Sequence, residues 1–148
     1  LNDLIWLITA IHLLCVVLWL GGTAFILITL RPASAALDAP ARLALHGAVF
    51  RRFFRLVWQI MPMAIIAGLL LRILSYSHQP VPWPVSLMQG LGVLMGAIFV
   101  GMALVPARRF QTKLGDGTAT AEDMIPIRRL LLLNLVLGTI ILIAVADL

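Results

Sequence analysis

LIWLITAIHLLCVVLWLGGTAFILITL, residues 4–30, runs for 27 positions without a charged side chain and carries a histidine, His12, in its first half. A bilayer-crossing helix needs about 20 apolar residues, so this stretch is long enough to span hydrocarbon and to hold an imidazole within it. A polar ring at that depth must find a partner, which makes His12 the first functional candidate, the plain alternative being a hydrogen bond to a neighbouring carbonyl.

The rest of the chain continues the pattern. Of its 148 residues 62% are hydrophobic, and the mean hydropathy is +1.08. Further charge-free runs extend over Leu56–Leu71, Ile73–Ala107 and Leu130–Ala146. They predict an all-α integral membrane protein, a bundle of four transmembrane helices near residues 3–30, 52–76, 85–107 and 127–147. Residues 1–148 form a single four-helix domain in this reading. Asp3 and no basic residue precede the first run, so it is expected to be a retained helix rather than a signal peptide.

Basic residues set the expected orientation. Arg31, Arg42, Arg51, Arg52 and Arg55 follow the first span, and Arg108, Arg109, Lys113, Arg128 and Arg129 follow the third, leaving only Arg72 for the other side. The positive-inside rule then places both basic loops in the cytoplasm and both termini on the outer, periplasmic side of an inner membrane. The formal charge of +5 is accounted for by topology and contact with the lipid bilayer, not by nucleic acid.

Trp6, Tyr76 and Trp83 are expected at the outer interface and Phe50, Phe53, Phe54, Trp58 and Phe110 at the inner one, with Trp19 an exception in mid-helix. SYSHQPVPWP, residues 75–84, reads as a stiff outer connection containing His78. TKLGDGTATAED, residues 112–123, reads as a flexible inner loop. His46 is expected at the inner interface with the arginines.

Depth along the helices adds a second line of argument. At 1.5 Å per residue His12 lies roughly 13 Å below the outer end, and the same depth on the other helices falls near Gly68, Gly92 and Gly138. Three glycines at one level leave space beside the imidazole. That space serves either close helix packing or a flat porphyrin held by His12. Small-residue faces equally allow a homodimer or a larger membrane complex.

Candidate second ligands are Met88, in the outer part of the third helix, and His78. Cys15, three residues after His12, joins Met88 as a soft ligand if the metal is copper. Met88, Met95 and Met102 recur at intervals of seven and form a stripe, read as core packing in preference to an ion path. Gln59 and Asn134 are candidates for hydrogen bonds between helices. Arg72, near the outer end of the second helix, can snorkel outward or pair with a haem propionate.

HLLCVVLWLGG, with His12, Trp19 and Gly22, resembles the first-helix signature of the HemJ-type protoporphyrinogen oxidases, a haem-binding membrane family in which that histidine is an axial ligand. RRFFRLVWQIMPMAIIAGLLL adds Arg51, Arg52, Pro62, Met63 and Gly68, similar to that family's basic pair followed by a proline and a glycine. The stretch GGTAFILITLRPA, through Arg31 and Pro32, also resembles the membrane domain of copper-resistance protein D. The first resemblance implies haem b with His12 as ligand, serving electron transfer or porphyrin oxidation; the second implies copper transport or resistance. The HemJ-type lysine in the outer third helix has no counterpart here, where Leu87, Met88 and Gln89 stand. A cofactor-free structural or assembly subunit is the remaining expectation.

Overall fold

The computed structural model describes residues 1–146 and 148, and among them the chain is all-helical without strands. Helix α1 spans Asn2–Ala24, α2 Ala39–Tyr76, α3 Trp83–Leu104, α4 Pro106–Asp116 and α5 Ile125–Val145. Counting their helical continuations, four of these helices are long and apolar enough to cross a membrane. Large apolar side chains such as Leu14, Val17, Ile66, Val93, Leu133 and Ile143 point outward around them. This surface suits lipid and not water.

The first helix does not stay α-helical to residue 30. It passes into a π-helical stretch at Phe25–Leu30, where the N–H of Arg31 reaches back to the carbonyl of Ile26. Pro32 has no N–H to offer Ile28 and its ring crowds that carbonyl, so the wider register relieves the conflict. Helical turns continue to Ala36.

The second helix begins 13 residues before its predicted start at 52, with Asp38 extended just before the first turn and Pro40 within it. Its 38 residues make a rod of roughly 57 Å, well beyond the hydrocarbon thickness. Charge at Arg42, Arg51 and Arg52 marks where the lipid-facing run ends, not where the helix ends.

Another correction concerns residues 112–123. The expected flexible loop is helical through Asp116, and Gly117 ends α4 in the left-handed conformation at φ 73°. A capping box between Thr120 and Asp123 opens the next turn. Lys113 crosses the link to Asp123 at 2.8 Å. Two helix ends fixed by caps and an ion pair leave little of the segment free.

Helices α1 and α2 pack along most of their length as one antiparallel pair, and α3 and α5 form the other. The two pairs meet more sparsely. At the arginine-rich end they are sealed by aromatic rings: Phe50 stacks on Phe54 at 5.8 Å and meets Phe110 edge-on at 6.0 Å, and Phe54 meets Phe99 edge-on at 5.6 Å. Phe50, Phe53, Phe54 and Phe110 are thus buried core residues and not the interfacial anchors their position in sequence suggested. Trp6 and Trp83, at the opposite end, are exposed.

Gly22 permits the tight α1–α2 contact, since a Cβ built there would overlap the ring of Phe53. Gly22→Ala is therefore expected to lower stability by about 1–3 kcal/mol, the usual cost of overpacking. Reversible unfolding in mixed micelles checks this, and an unchanged midpoint would mean that the ring moves freely aside.

Candidate functional site

Away from the aromatic seal the two helix pairs part around a cavity of about 580 Å³, lined by residues of all four long helices. Pockets that hold small molecules and cofactors commonly have volumes of roughly 300–1,000 Å³. Its wall is almost wholly apolar apart from His12 and Gln89.

His12 reaches the wall from α1. Its Nδ1 lies 2.8 Å from the carbonyl oxygen of Ala64 on α2. A carbonyl can only accept, so Nδ1 carries a proton, and in the neutral form of the ring this leaves the lone pair on Nε2. Nε2 makes no hydrogen bond among the described residues. A ring held by one nitrogen with the other free is the arrangement in which an imidazole binds a metal ion.

Sequence explains why this carbonyl is reachable. The residue one helical turn beyond Ala64 is Gly68, whose missing side chain would otherwise stand beside the ring: a Cβ there would lie 3.1 Å from Cε1 and 3.5 Å from Nδ1 of His12. Gly68 is thus shaped to the imidazole.

The other two glycines at this level differ. Gly92 lines the cavity, and a Cβ there would meet nothing within 4 Å. Gly138 also lines it, but its Cβ would overlap the side chain of Leu20, so that glycine serves the contact between α5 and α1. Three glycines read together at one depth therefore divide into a ring contact, an open wall and a packing position.

Met88 and Met95 line the same cavity from α3, and Trp19 contributes a wall from α1 while meeting Phe99 edge-on at 6.4 Å. Arg72, one turn beyond Gly68, donates from Nη1 to Oε1 of Gln89, which is itself a lining residue. This bond ties α2 to α3 and holds a guanidinium beside the cavity. Asn134 makes a different tie, donating Nδ2 to the carbonyl of Met95 at 3.3 Å. Gln59 is exposed and takes no such role.

Two sequence candidates fall elsewhere. His78 is exposed in the connection between α2 and α3 and does not line the cavity. Cys15 is buried in the core and also lies off the wall. Among the described residues no group of three or more His, Cys, Asp or Glu side chains comes together to hold a metal ion.

Sequence reasoning allowed a neighbouring carbonyl as the partner of His12 but did not identify Ala64, because every residue has a carbonyl and only the fold selects one. The Arg72–Gln89 pair carried a usable signal, two polar side chains at matching depth on adjacent predicted helices. His46 is a further correction: it is 1% exposed, with the extension of α2 and the covering α4 removing it from the interface.

Compared with known proteins, the chain matches no family model, no curated protein and no solved structure.

Proposed function

We propose that this chain is an inner-membrane haem b protein with His12 as an axial ligand, working in electron transfer or porphyrin oxidation. The observation that carries the reading is the imidazole of His12, tied through Nδ1 to the Ala64 carbonyl at 2.8 Å and free at Nε2 on the wall of a cavity of about 580 Å³. Haem iron is commonly held by such a nitrogen, and a hydrogen bond at the other nitrogen fixes the tautomer and raises the ligand's basicity.

The surrounding residues fit a flat, mostly apolar group with an anionic edge. Open space at Gly92 admits a ring, and Trp19 with the aliphatic wall excludes water. Arg72, steadied by Gln89, supplies a cation for a propionate. Met88 is the candidate for the sixth position; His78, exposed in its loop, is the weaker alternative. Haem supplies a one-electron couple between ferrous and ferric iron. By the arginine distribution the cavity lies toward the outer face, with both termini outside and both basic loops in the cytoplasm.

Copper handling is the second reading, favoured by the thioethers of Met88 and Met95 on the same wall as His12. Cys15, away from that wall, does not strengthen it. A reduced-minus-oxidised absorption spectrum of the purified protein, with iron and copper assayed on the same sample, separates the two. A b-type spectrum with one iron per chain is the expected result. Copper without haem would favour the second reading, and neither metal would favour a structural or assembly subunit, acting in a homodimer or larger complex.

A further inference from the structure

A second constellation lies at the arginine-rich end, far from the cavity and independent of its occupant. Three segments converge there: the turn after the π-helical stretch, the first turns of α2 and the start of α5. Ser34, itself buried, donates its hydroxyl to the carbonyl of Arg31 at 2.8 Å. Arg42 donates Nε to the carbonyl of Ser34 at 3.2 Å and Nη2 to that of Leu37 at 2.9 Å. Its guanidinium is thereby pinned across the turn with donors still unused.

One turn along α2, His46 packs against the ring of Phe50 at 5.8 Å. Its Nδ1 donates to the carbonyl of Arg42 at 2.9 Å, while Nε2 has no partner although the side chain is fully enclosed. Arg128 approaches from α5, its Nη2 3.9 Å from the sulfur of Met124 and its Nε buried without a partner. Ser34 ties the turn that carries Arg31 to Arg42, and α5, which carries Arg128 in its first turns, packs against the π-helical stretch that ends just before Arg31.

Nothing acidic balances them. The single ion pair among the described residues joins Lys113 to Asp123, so none of these three arginines is paired with a carboxylate. Gathering guanidiniums around enclosed and unsatisfied polar atoms is unfavourable by itself. An anion bearing several acceptor oxygens removes both costs, because it offsets the repulsion and gives the buried Nε–H an acceptor.

We infer that this cluster binds a phosphate-bearing anion, seated between the guanidiniums of Arg31, Arg42 and Arg128 with His46 beneath it. Planar guanidiniums match tetrahedral oxyanions through paired hydrogen bonds. With the anion's charge in place, the imidazole takes a proton at Nε2 and donates it to the same group. A free phosphate and an acidic lipid headgroup share this chemistry, and basic clusters between membrane helices are a known place for headgroups.

The test uses the full chain in detergent and in lipid nanodiscs. Inorganic phosphate, compared with chloride at equal ionic strength, is expected to raise the unfolding temperature saturably and to move the His46 Nε2 nitrogen resonance to the protonated region. Arg31→Gln, at an exposed position, and Arg128→Gln are each expected to weaken binding about tenfold, the equivalent of one charge-assisted hydrogen bond. The same nitrogen signal in nanodiscs of phosphatidylcholine, with and without phosphatidylglycerol, identifies the source. A response to inorganic phosphate supports a free anion, and a response confined to phosphatidylglycerol supports a headgroup. No phosphate- or phosphatidylglycerol-specific response, a response unweakened in both arginine variants, or an unmoved His46 signal would overturn the inference and leave a bridging water as the partner of these atoms.

Discussion

His12→Ala is expected to abolish the haem absorbance of the purified protein while the bundle remains folded. The variant removes the only imidazole that lines the cavity among the described residues, and an alanine offers iron no electron pair. Folding should survive because the Ala64 carbonyl keeps its place in the α2 hydrogen-bond ladder. The lost contact with His12 is an interhelical hydrogen bond of the kind worth about 1 kcal/mol in membrane proteins. Iron content and the Soret band would be measured beside the circular dichroism spectrum. Imidazole added to the variant should restore part of the band by entering the vacated space. A His12→Ala protein that retains stoichiometric haem would remove this histidine from the site.

The second large effect is expected from Gly92→Leu. No atom lies within 4 Å of a Cβ at Gly92, so the added side chain occupies the cavity instead of colliding with a neighbour. Cofactor content should fall at least tenfold while the unfolding temperature is unchanged or raised, since filling a void adds dispersion contacts. That combination distinguishes a binding slot from a packing glycine, for which a larger residue would lower stability. Gly138, whose Cβ would overlap Leu20, provides the contrast: Gly138→Leu should destabilise the bundle. Retention of full cofactor in Gly92→Leu would place the ligand elsewhere.

Glycines that looked equivalent in the chain therefore have different work. Their shared depth follows from counting residues along four helices of known rise, which needs no structure. Which way each glycine faces depends on the rotation of its helix about its own axis, and nearly uniform apolar helices set no strong rotational preference by themselves. The choice is made by contacts such as Leu20 against Gly138 and the imidazole against Gly68.

Helix ends show the same division. Arg42, Arg51 and Arg52 correctly mark the edge of the apolar run, yet α2 continues through them to Ala39 because arginine and leucine favour helix and Asp38 with Pro40 starts it early. The buried state of His46 was equally hidden. Arginines flank its stretch of helix, and its cover comes from Phe50 one turn along and from the distant α4, whose Gln111 donates to the carbonyl of Gly47 at 2.8 Å.

What the sequence determined by itself is the number of apolar helices, the segregation of charge to one end and the depth of His12, because hydrocarbon thickness and helix rise convert residue counts directly into distance. Tertiary structure alone decided that the two helix pairs close over aromatic rings at the arginine-rich end and part at the other, that His12 points one nitrogen at Ala64 and leaves the second free, and that Cys15 and His78 stay off the cavity wall. These outcomes depend on rotation and side-chain packing between helices, which residues distant in sequence fix together and no single stretch can specify.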